Sequence, residues 1–493
     1  MGSIVSRWFG SFSGMSKDDR LQIFMMGVVF FFVVAAYTVA REFKDSVFMT
    51  IVGRTYIPDA KFASMFVLIP LILLYSKLVD KTRRYQLLCI YSTIYGVLGL
   101  VFTYFLGTNI GIVNTVQDPH RIFGWLFYFF IEGYSPFVLS VFWAFANSIT
   151  SPGLAKRGYG FMIALSKLGG ALTSGFAWFL LHKKFSLGAT TLSDVAIHQI
   201  ILGASSLLLL CVPVVTICLM KAVPGYKLHG YEAAYKFEKA RGKAGEAKTG
   251  AWSGLKMFFR YPYILGIFSM LFFYELFNMV LNYQRLGIAE AVYGNNVSGI
   301  TGFLFQQMFA THLIGFFISL FGTSVLLNWL GERTCLLLIP ITTAILISFF
   351  LFSYSPTSII IAYVGIRSIN YAFSYPVRES LYIPTVKEMK FKSKSWIDAF
   401  GTKFAKSTGQ VFNKFVQKYC MNFFFGVHAI FFSVAIGVWL VSAFLLGRRY
   451  QKAIMANEVI GEDFASKKNE PESVDNVVKA ITIMGWFKSK FGR

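Results

Sequence analysis

Runs of about twenty apolar residues recur from one end of this chain to the other, and they limit its possible folds more than any other feature. "LQIFMMGVVFFFVVAAYTVA" begins at Leu21 and "NFFFGVHAIFFSVAIGVWLVSAFLLG" at Asn422. Each is long enough for a helix to cross about 30 Å of hydrocarbon. Inside a bilayer the backbone must satisfy its own polar groups, which selects helices for such runs. Twelve spans are predicted, near 21–40, 60–77, 85–106, 122–147, 158–181, 198–220, 262–284, 300–328, 334–353, 357–375, 398–418 and 421–446. Only 14% of the 493 residues are charged, against about 25% in a soluble protein. The first span is too long for a signal-peptide core and lacks a clear cleavage site, so it is expected to stay in place.

Between spans six and seven lies a polar, basic segment from Lys221 to Arg260. The expected fold is an all-α polytopic membrane protein, with twelve transmembrane helices in two six-helix halves, major-facilitator-like. The expected divisions are an N-terminal half at 1–220, a basic cytoplasmic linker at 221–260, a C-terminal half at 261–447 and a cytoplasmic tail at 448–493. The weakly amphipathic end of that tail, "VVKAITIMGWFKSKFGR", suits a membrane surface. Transporters with this architecture hold substrate between the halves near the bilayer midplane. No clear repeat relates the halves, so the expectation rests on span count and loop position.

The formal net charge is +23, from 47 Lys+Arg against 24 Asp+Glu. With both termini placed in the cytoplasm, about 33 of the basic residues fall on the inner side and about 9 on the outer, the asymmetry that orients membrane proteins. The excess of cations is thereby explained, and with no aromatic–basic motif present, nucleic acid is not expected as a partner. The five cysteines are scattered without a CxxC pair, so neither zinc nor a disulfide framework is expected. "MGSIVS" fits a myristoylation pattern and is taken as a chance match. HExxH, GxSxG and P-loop motifs are all lacking, so no enzyme activity and no cofactor are expected. A membrane receptor or scaffold would leave charges inside the spans unexplained.

Those charges are the informative residues, because one at mid-bilayer costs about 2.5–3.5 kcal/mol or more and usually faces water or a partner. "REFKDSVFMT", from Arg41, ends the first span with Lys44 beside Asp45. It reads either as a solvated helix end or as a substrate-facing Lys44. Glu132 stands alone in an aromatic span ahead of Pro136, and needs a basic partner or a proton. Its role is structural pairing or transport coupling. Glu275, Asn278, Asn282 and Arg285 recur at spacings of three, four and three, forming one polar stripe on a helix. This is either a helix seam or a site. Lys403, Lys406, Ser407, Gln410, Lys414 and Gln417 fall within an arc of about 100° on the eleventh span. Gly401, Ala405, Phe412 and Val416 lie opposite. A helix lying flat at the interface is the alternative there.

Cations along a path imply an anionic passenger, and Lys and Arg are the usual phosphate binders. Tyr37, Trp143 and Tyr274 offer aromatic faces for a planar base, although core packing is the better expectation for each.

The stretch "SYPVRESLYIPTVKEMKFKSKSWIDAFGTKFAKSTGQ" resembles a motif of the ATP/ADP translocases of intracellular bacteria and plastids, a family distinct from the mitochondrial carriers. Pro376, Glu379, Tyr382, Ile383, Pro384, Lys392, Lys394, Ile397, Asp398, Lys406, Ser407 and Gly409 stand in matching places. "KDSVFMT" and "EGYSPFVLSVFWAFANSITSPGLAKRGYG" are similar to two further family segments. Departures include "IEGYS" in place of an "AELWG" pattern and Arg378 at a lysine position of the motif.

The resemblance implies a nucleotide transporter, foremost an ATP:ADP antiporter. The alternative is a proton-coupled net importer of nucleotides, with Glu132 or Glu275 carrying the proton. It implies that Lys44, Glu132, Glu275 and Arg378 correspond to the family's transport residues. With the charge pattern, the expected substrate-binding set is Lys44, Arg378, Lys403, Lys406, Glu132, Glu275, Asn278 and Asn282. The expected partners are ATP/ADP and the lipid bilayer, and the expected state is a monomer in a cell inner membrane with both termini cytoplasmic.

Overall fold

Short polar side chains set the starts of several long helices. Ser16 accepts the Asp19 N–H at 3.2 Å ahead of α1 (Lys17–Ile51). Ser193 does the same for α7 (Asp194–Ala222), and Asn296 for α9 (Val297–Phe317). Each satisfies an N–H that has no partner inside its helix. The computed structural model describes residues 15–79, 82–150, 152–182, 186–187, 190–224, 260–319, 323–370, 374–382, 384–385, 393, 397, 401–456 and 458–461. The predicted linker beyond 224, the lysines at 387, 390, 392 and 394, and the tail beyond 461 lie outside the described residues.

A 3₁₀ turn (Arg54–Tyr56) leads from α1 to α2 (Ile57–Val79), α3 (Arg84–Leu106) and α4 (Ile122–Glu132). A π-helical turn, Ser135–Leu139, carries α4 into α5 (Ser140–Ile149). Pro136 lacks an N–H and so favours this widening. α6 (Pro152–His182) and α7 are joined through a two-residue antiparallel pair, Ser186–Leu187 with Thr190–Thr191. Then follow α8 (Pro262–Tyr293), α9, α10 (Thr323–Ser353), α11 (Pro356–Ile369), α12 (Tyr375–Ser380), α13 (Thr402–Tyr419) and α14 (Phe424–Met455).

Among the described residues, nine helical stretches are long and apolar enough to cross a membrane, and the chain is a multi-pass membrane protein. α2, α11 and α13 fall on the other predicted spans without belonging to those nine.

Three boundaries differ from expectation. α1 continues to Ile51, so Arg41 to Asp45 lie inside a helix and not beyond its end. α9 stops at Phe317, and residues 323–328 open α10, which bends at Gly331 (φ 72°). α14 continues past the tail boundary at 448 to Met455. Its basic last turns suit the negative end of the helix dipole, and Arg449 holds Glu458 at 2.5 and 2.7 Å.

α1 packs on α4, α6 and α7, and α6 packs on α9. α8 packs on α11, α13 and α14, while α13 also meets α2. Helices from before and after residues 225–259 therefore touch at α1–α9, α6–α9 and α2–α13. Phe66, Leu207, Ile345, Phe352 and Val441 are exposed, as residues facing acyl chains should be.

Lipid gives no hydrophobic drive for helices to associate, so small residues that allow close approach matter more. Gly96 and Gly99 of α3 meet α7. A Cβ at Gly99 would stand 2.3 Å from Ser206 Oγ. Gly99→Ala should therefore destabilise the protein by about 1–3 kcal/mol, the usual cost of overpacking. Thermal unfolding of the detergent-solubilised protein measures this, and Ser206→Ala in the same chain should recover part of the loss. An unchanged midpoint for Gly99→Ala would show that α3 and α7 can move apart freely.

Candidate functional site

Glu132 closes α4 just before the π turn, and both lysines that reach it come from other helices. Lys44 Nζ of α1 donates to its Oε1 at 2.7 Å, and Lys61 Nζ of α2 donates to the same oxygen at 2.6 Å. Lys44 Nζ also lies 3.2 Å from Asp45 Oδ1 and 4.4 Å above the centre of the Tyr128 ring. All three charged groups are largely buried. A buried carboxylate needs such pairing, because removing one partner of a buried ion pair costs on the order of 3–5 kcal/mol.

The network then crosses to the C-terminal helices. Asn282 Nδ2 of α8 donates to Asp45 Oδ2 at 3.0 Å. Arg285, one turn on, donates through a single nitrogen, Nη2. Its two acceptors are Glu42 Oε2 and Asn282 Oδ1, both at 2.8 Å. Glu42 and Arg285 are each 1% exposed at the side chain, and Arg41 Nε stands 3.9 Å from the other Glu42 oxygen. Arg285 lies 4.2 Å over the Tyr363 ring of α11, and Arg367 donates to the Tyr363 hydroxyl.

Towards the ends of α1 and α8, Arg54 Nε donates to Glu290 Oε2 at 2.7 Å, and its guanidinium stacks on Tyr283 at 4.8 Å. Lys414 of α13 pairs with Asp59 of α2. Among the described residues, hydrogen bonds from α1 to helices beyond residue 260 begin at Thr38.

Of the expected residues, Lys44, Glu132 and Asn282 meet in one connected network through Asp45. The solvated-end alternative for Lys44 and Asp45 fails, since both are buried. Glu275 Oε2 faces Lys406 Nζ of α13 at 3.7 Å, a separate pair deeper along the same polar stripe of α8. Asn278 lies buried between Glu275 and Asn282, and its Oδ1 has no hydrogen-bond partner. Lys403 is half-buried, with Glu132 and Lys406 as its charged neighbours.

The flat-helix alternative for α13 fails as well. Its polar stripe faces other helices, with Lys414 on Asp59 and Gln417 accepting from Tyr283 at 3.1 Å, while Val411 and Phe415 are exposed on its outer side. Arg378 stands half-buried on α12.

Lys61 and Glu42 were not among the expected site residues. Lys61 follows Asp59 at the start of α2 and looks in sequence like an ordinary loop cation. Only the approach of α2 to α4 reveals its role.

A family model described as "TLC ATP/ADP transporter" matches residues 5–450. An "ADP,ATP carrier protein 1" from Rickettsia bellii is 23% identical over 499 residues, covering 90% of this chain and 96% of that protein. The protein of the same name from Chlamydia trachomatis is 23% identical over 492 residues, covering 89% and 90%. A "Plastidic ATP/ADP-transporter" from Solanum tuberosum is 30% identical over 170 residues, covering 30% of this chain and 27% of that one. Among solved structures, a D-xylose–proton symporter superposes with a TM-score of 0.59 at 12% identity, covering 86% of this chain and 96% of the other. That likeness shows a shared major-facilitator-like fold.

The Arg54–Glu290 pair joins the turn after α1 to α8, 236 residues away in sequence, so a charge swap can test it. Arg54→Glu should place two carboxylates together and lower the unfolding midpoint. Adding Glu290→Arg should restore it, with a coupling of about 0.5–3 kcal/mol in the double-mutant cycle. Additive losses from the two changes would show that the pair does not join these helices in solution.

Proposed function

The chain belongs to the TLC ATP/ADP transporter family, and from that premise we propose that it exchanges ATP for ADP across a bacterial inner membrane by alternating access. The observation that carries this reading is the sharing of one Glu132 oxygen by Lys44 and Lys61, 2.7 and 2.6 Å away. A polyphosphate offers such lysines a better partner than a carboxylate, with more charge and more acceptor oxygens. Binding then replaces Glu132 and Asp45 on the lysines, and release returns them. Lys403, Lys406 and Arg378 add positive charge on the C-terminal side, with Glu275 as the resting partner of Lys406. Asn278 and Asn282 supply neutral polar contacts. Strict exchange follows naturally, because the empty carrier rests with Lys44, Lys61 and Lys406 on its own carboxylates while Glu42–Arg285 and Arg54–Glu290 join the two groups of helices.

Twelve spans in two groups of six, with both termini cytoplasmic, suit this reading. α1 then runs outward, and the contacts from Glu42 to Arg54 lie in the outer half of the bundle. In that orientation they form a closed outer gate.

Lys44→Gln and Arg378→Gln should each reduce uptake of labelled ATP about tenfold or more, the loss of one charge-assisted contact, with the protein still present in the membrane. Uptake by ADP-loaded vesicles should exceed that by empty ones. Equal uptake by empty vesicles, rising in an acidic outside buffer, would instead support proton-coupled net import. Wild-type uptake in both variants would remove those residues from the site.

A further inference from the structure

The groove where α10 packs on α14 gathers positive charge just beyond the apolar run of α14, which ends at Gly447. Arg333 of α10 and Arg448, Gln451, Lys452, Met455 and Ala456 of α14 line a shallow space of about 510 Å³. Arg333 is held in place there. Its stem crosses α14 at Gly447, where a Cβ would stand 3.1 Å from Arg333 Cγ. Its Nη1 donates to Gln451 Oε1 at 2.9 Å, and its guanidinium lies 5.8 Å from the centre of the Phe444 ring. The Arg448 guanidinium lies 5.6 Å from the same ring. Both distances fall within the roughly 6 Å over which an aromatic face attracts a cation, so one phenylalanine holds a guanidinium from each of two helices.

Among the described residues, no carboxylate lies within ion-pair distance of Arg333, Arg448 or Lys452. Glu458 acts on Lys452, but both terminal nitrogens of Arg449 hold it, at 2.5 and 2.7 Å. Glu332 acts on Cys335 and Tyr450, which are buried, and does not line the groove. Basic residues are common at the cytoplasmic ends of membrane helices. That tendency does not account for an arginine laid over a glycine, bonded to a glutamine and set beside two further cations from a second helix.

The surface below the cations points to the kind of anion. At 100° per residue, Val434, Val438, Val441 and Leu445 fall on the same α14 face as Arg448 and Lys452, within an arc of about 80°, and all four are exposed. Val438 lies ten residues before Arg448, about 15 Å along the helix. That is half the thickness of the hydrocarbon layer, about 30 Å in all. A cationic groove above an apolar track of this length matches a molecule with a phosphate at one end and an acyl chain at the other.

We propose that this groove binds one anionic phospholipid, with its phosphate among Arg333, Arg448 and Lys452 and an acyl chain along Leu445, Val441, Val438 and Val434. Gln451 accepts from Arg333 through its oxygen, which leaves its amide nitrogen to donate to the headgroup. The phosphate removes the repulsion among the three cations. Because these come from α10 and α14, the lipid ties the two helices together two residues beyond the bend of α10 at Gly331. The site is independent of which solute the chain carries.

The test is native mass spectrometry of the purified full-length protein in detergent, titrated with phosphatidylglycerol or with phosphatidylcholine. The wild-type protein should bind its first phosphatidylglycerol more tightly than phosphatidylcholine. Arg448→Gln and Lys452→Gln should each weaken phosphatidylglycerol about fivefold, the effect of one cation beside an anionic lipid. Arg333→Gln with Arg448→Gln should weaken it more than either, and phosphatidylcholine should be unaffected throughout. All three side chains are exposed, so these substitutions should leave the fold intact. Lys418→Gln removes an exposed lysine that stacks on Tyr419 at the end of α13, and should leave both lipids at wild-type affinity. Wild-type phosphatidylglycerol affinity in a monodisperse protein carrying Arg333→Gln and Arg448→Gln overturns the site. A loss in Lys418→Gln as large as that in Arg448→Gln also overturns it, by showing diffuse surface charge instead of a groove. Displacement of the lipid by an equal concentration of inorganic phosphate would show a site for a soluble anion and overturn the lipid assignment.

Discussion

Charge buried among apolar helices must be paired, and this chain pairs its charge across helices far apart in sequence. Lys44, Lys61 and Glu132 come from three different helices and meet at one oxygen atom. An isolated lysine or glutamate in that position would carry a desolvation cost of several kcal/mol. The helices are therefore held in register by a requirement more specific than apolar packing, which any comparable side chain could meet.

The same requirement makes the arrangement changeable. Arg285 uses one nitrogen for two acceptors, and Glu42 Oε1, Arg285 Nε and Arg285 Nη1 have no hydrogen-bond partners. A pair that is buried and only partly satisfied holds the helices without locking them, since separation would let water complete its hydrogen bonds. Transport by alternating access needs two states close in energy. A bridge of this kind, between groups of helices that touch at α1–α9 and α2–α13, keeps the closed state from becoming too stable.

Much of this was legible in the sequence, because hydropathy and stray charge are local signals. The spacing of Glu275, Asn278, Asn282 and Arg285 places them on one helix face, and α8 turns that face toward Lys406, Asp45 and Glu42. Glu132 was visible as a carboxyl in need of a partner. The identity of that partner was not, since Lys61 lies 71 residues away and in sequence resembles a loop cation. Helix ends were poorly legible too. Arg41 to Asp45 lower the local hydropathy enough to suggest that α1 stops, yet the helix continues through them because their charges are paired inside the bundle.

The account turns on nucleotide competing with Glu132 and Asp45 for Lys44 and Lys61, beside the Asp45–Asn282, Glu42–Arg285 and Arg54–Glu290 contacts that hold one end of the bundle shut. Spin labels at Tyr56 and Tyr293, partly exposed residues beyond α1 and at the end of α8, report that end directly through the distance between them. Without nucleotide the distribution should be short and narrow, and saturating ATP should add a population at longer distance. An unchanged distribution, in protein shown to have ATP bound, would contradict the claim that substrate and carboxylate exchange places on the same cations.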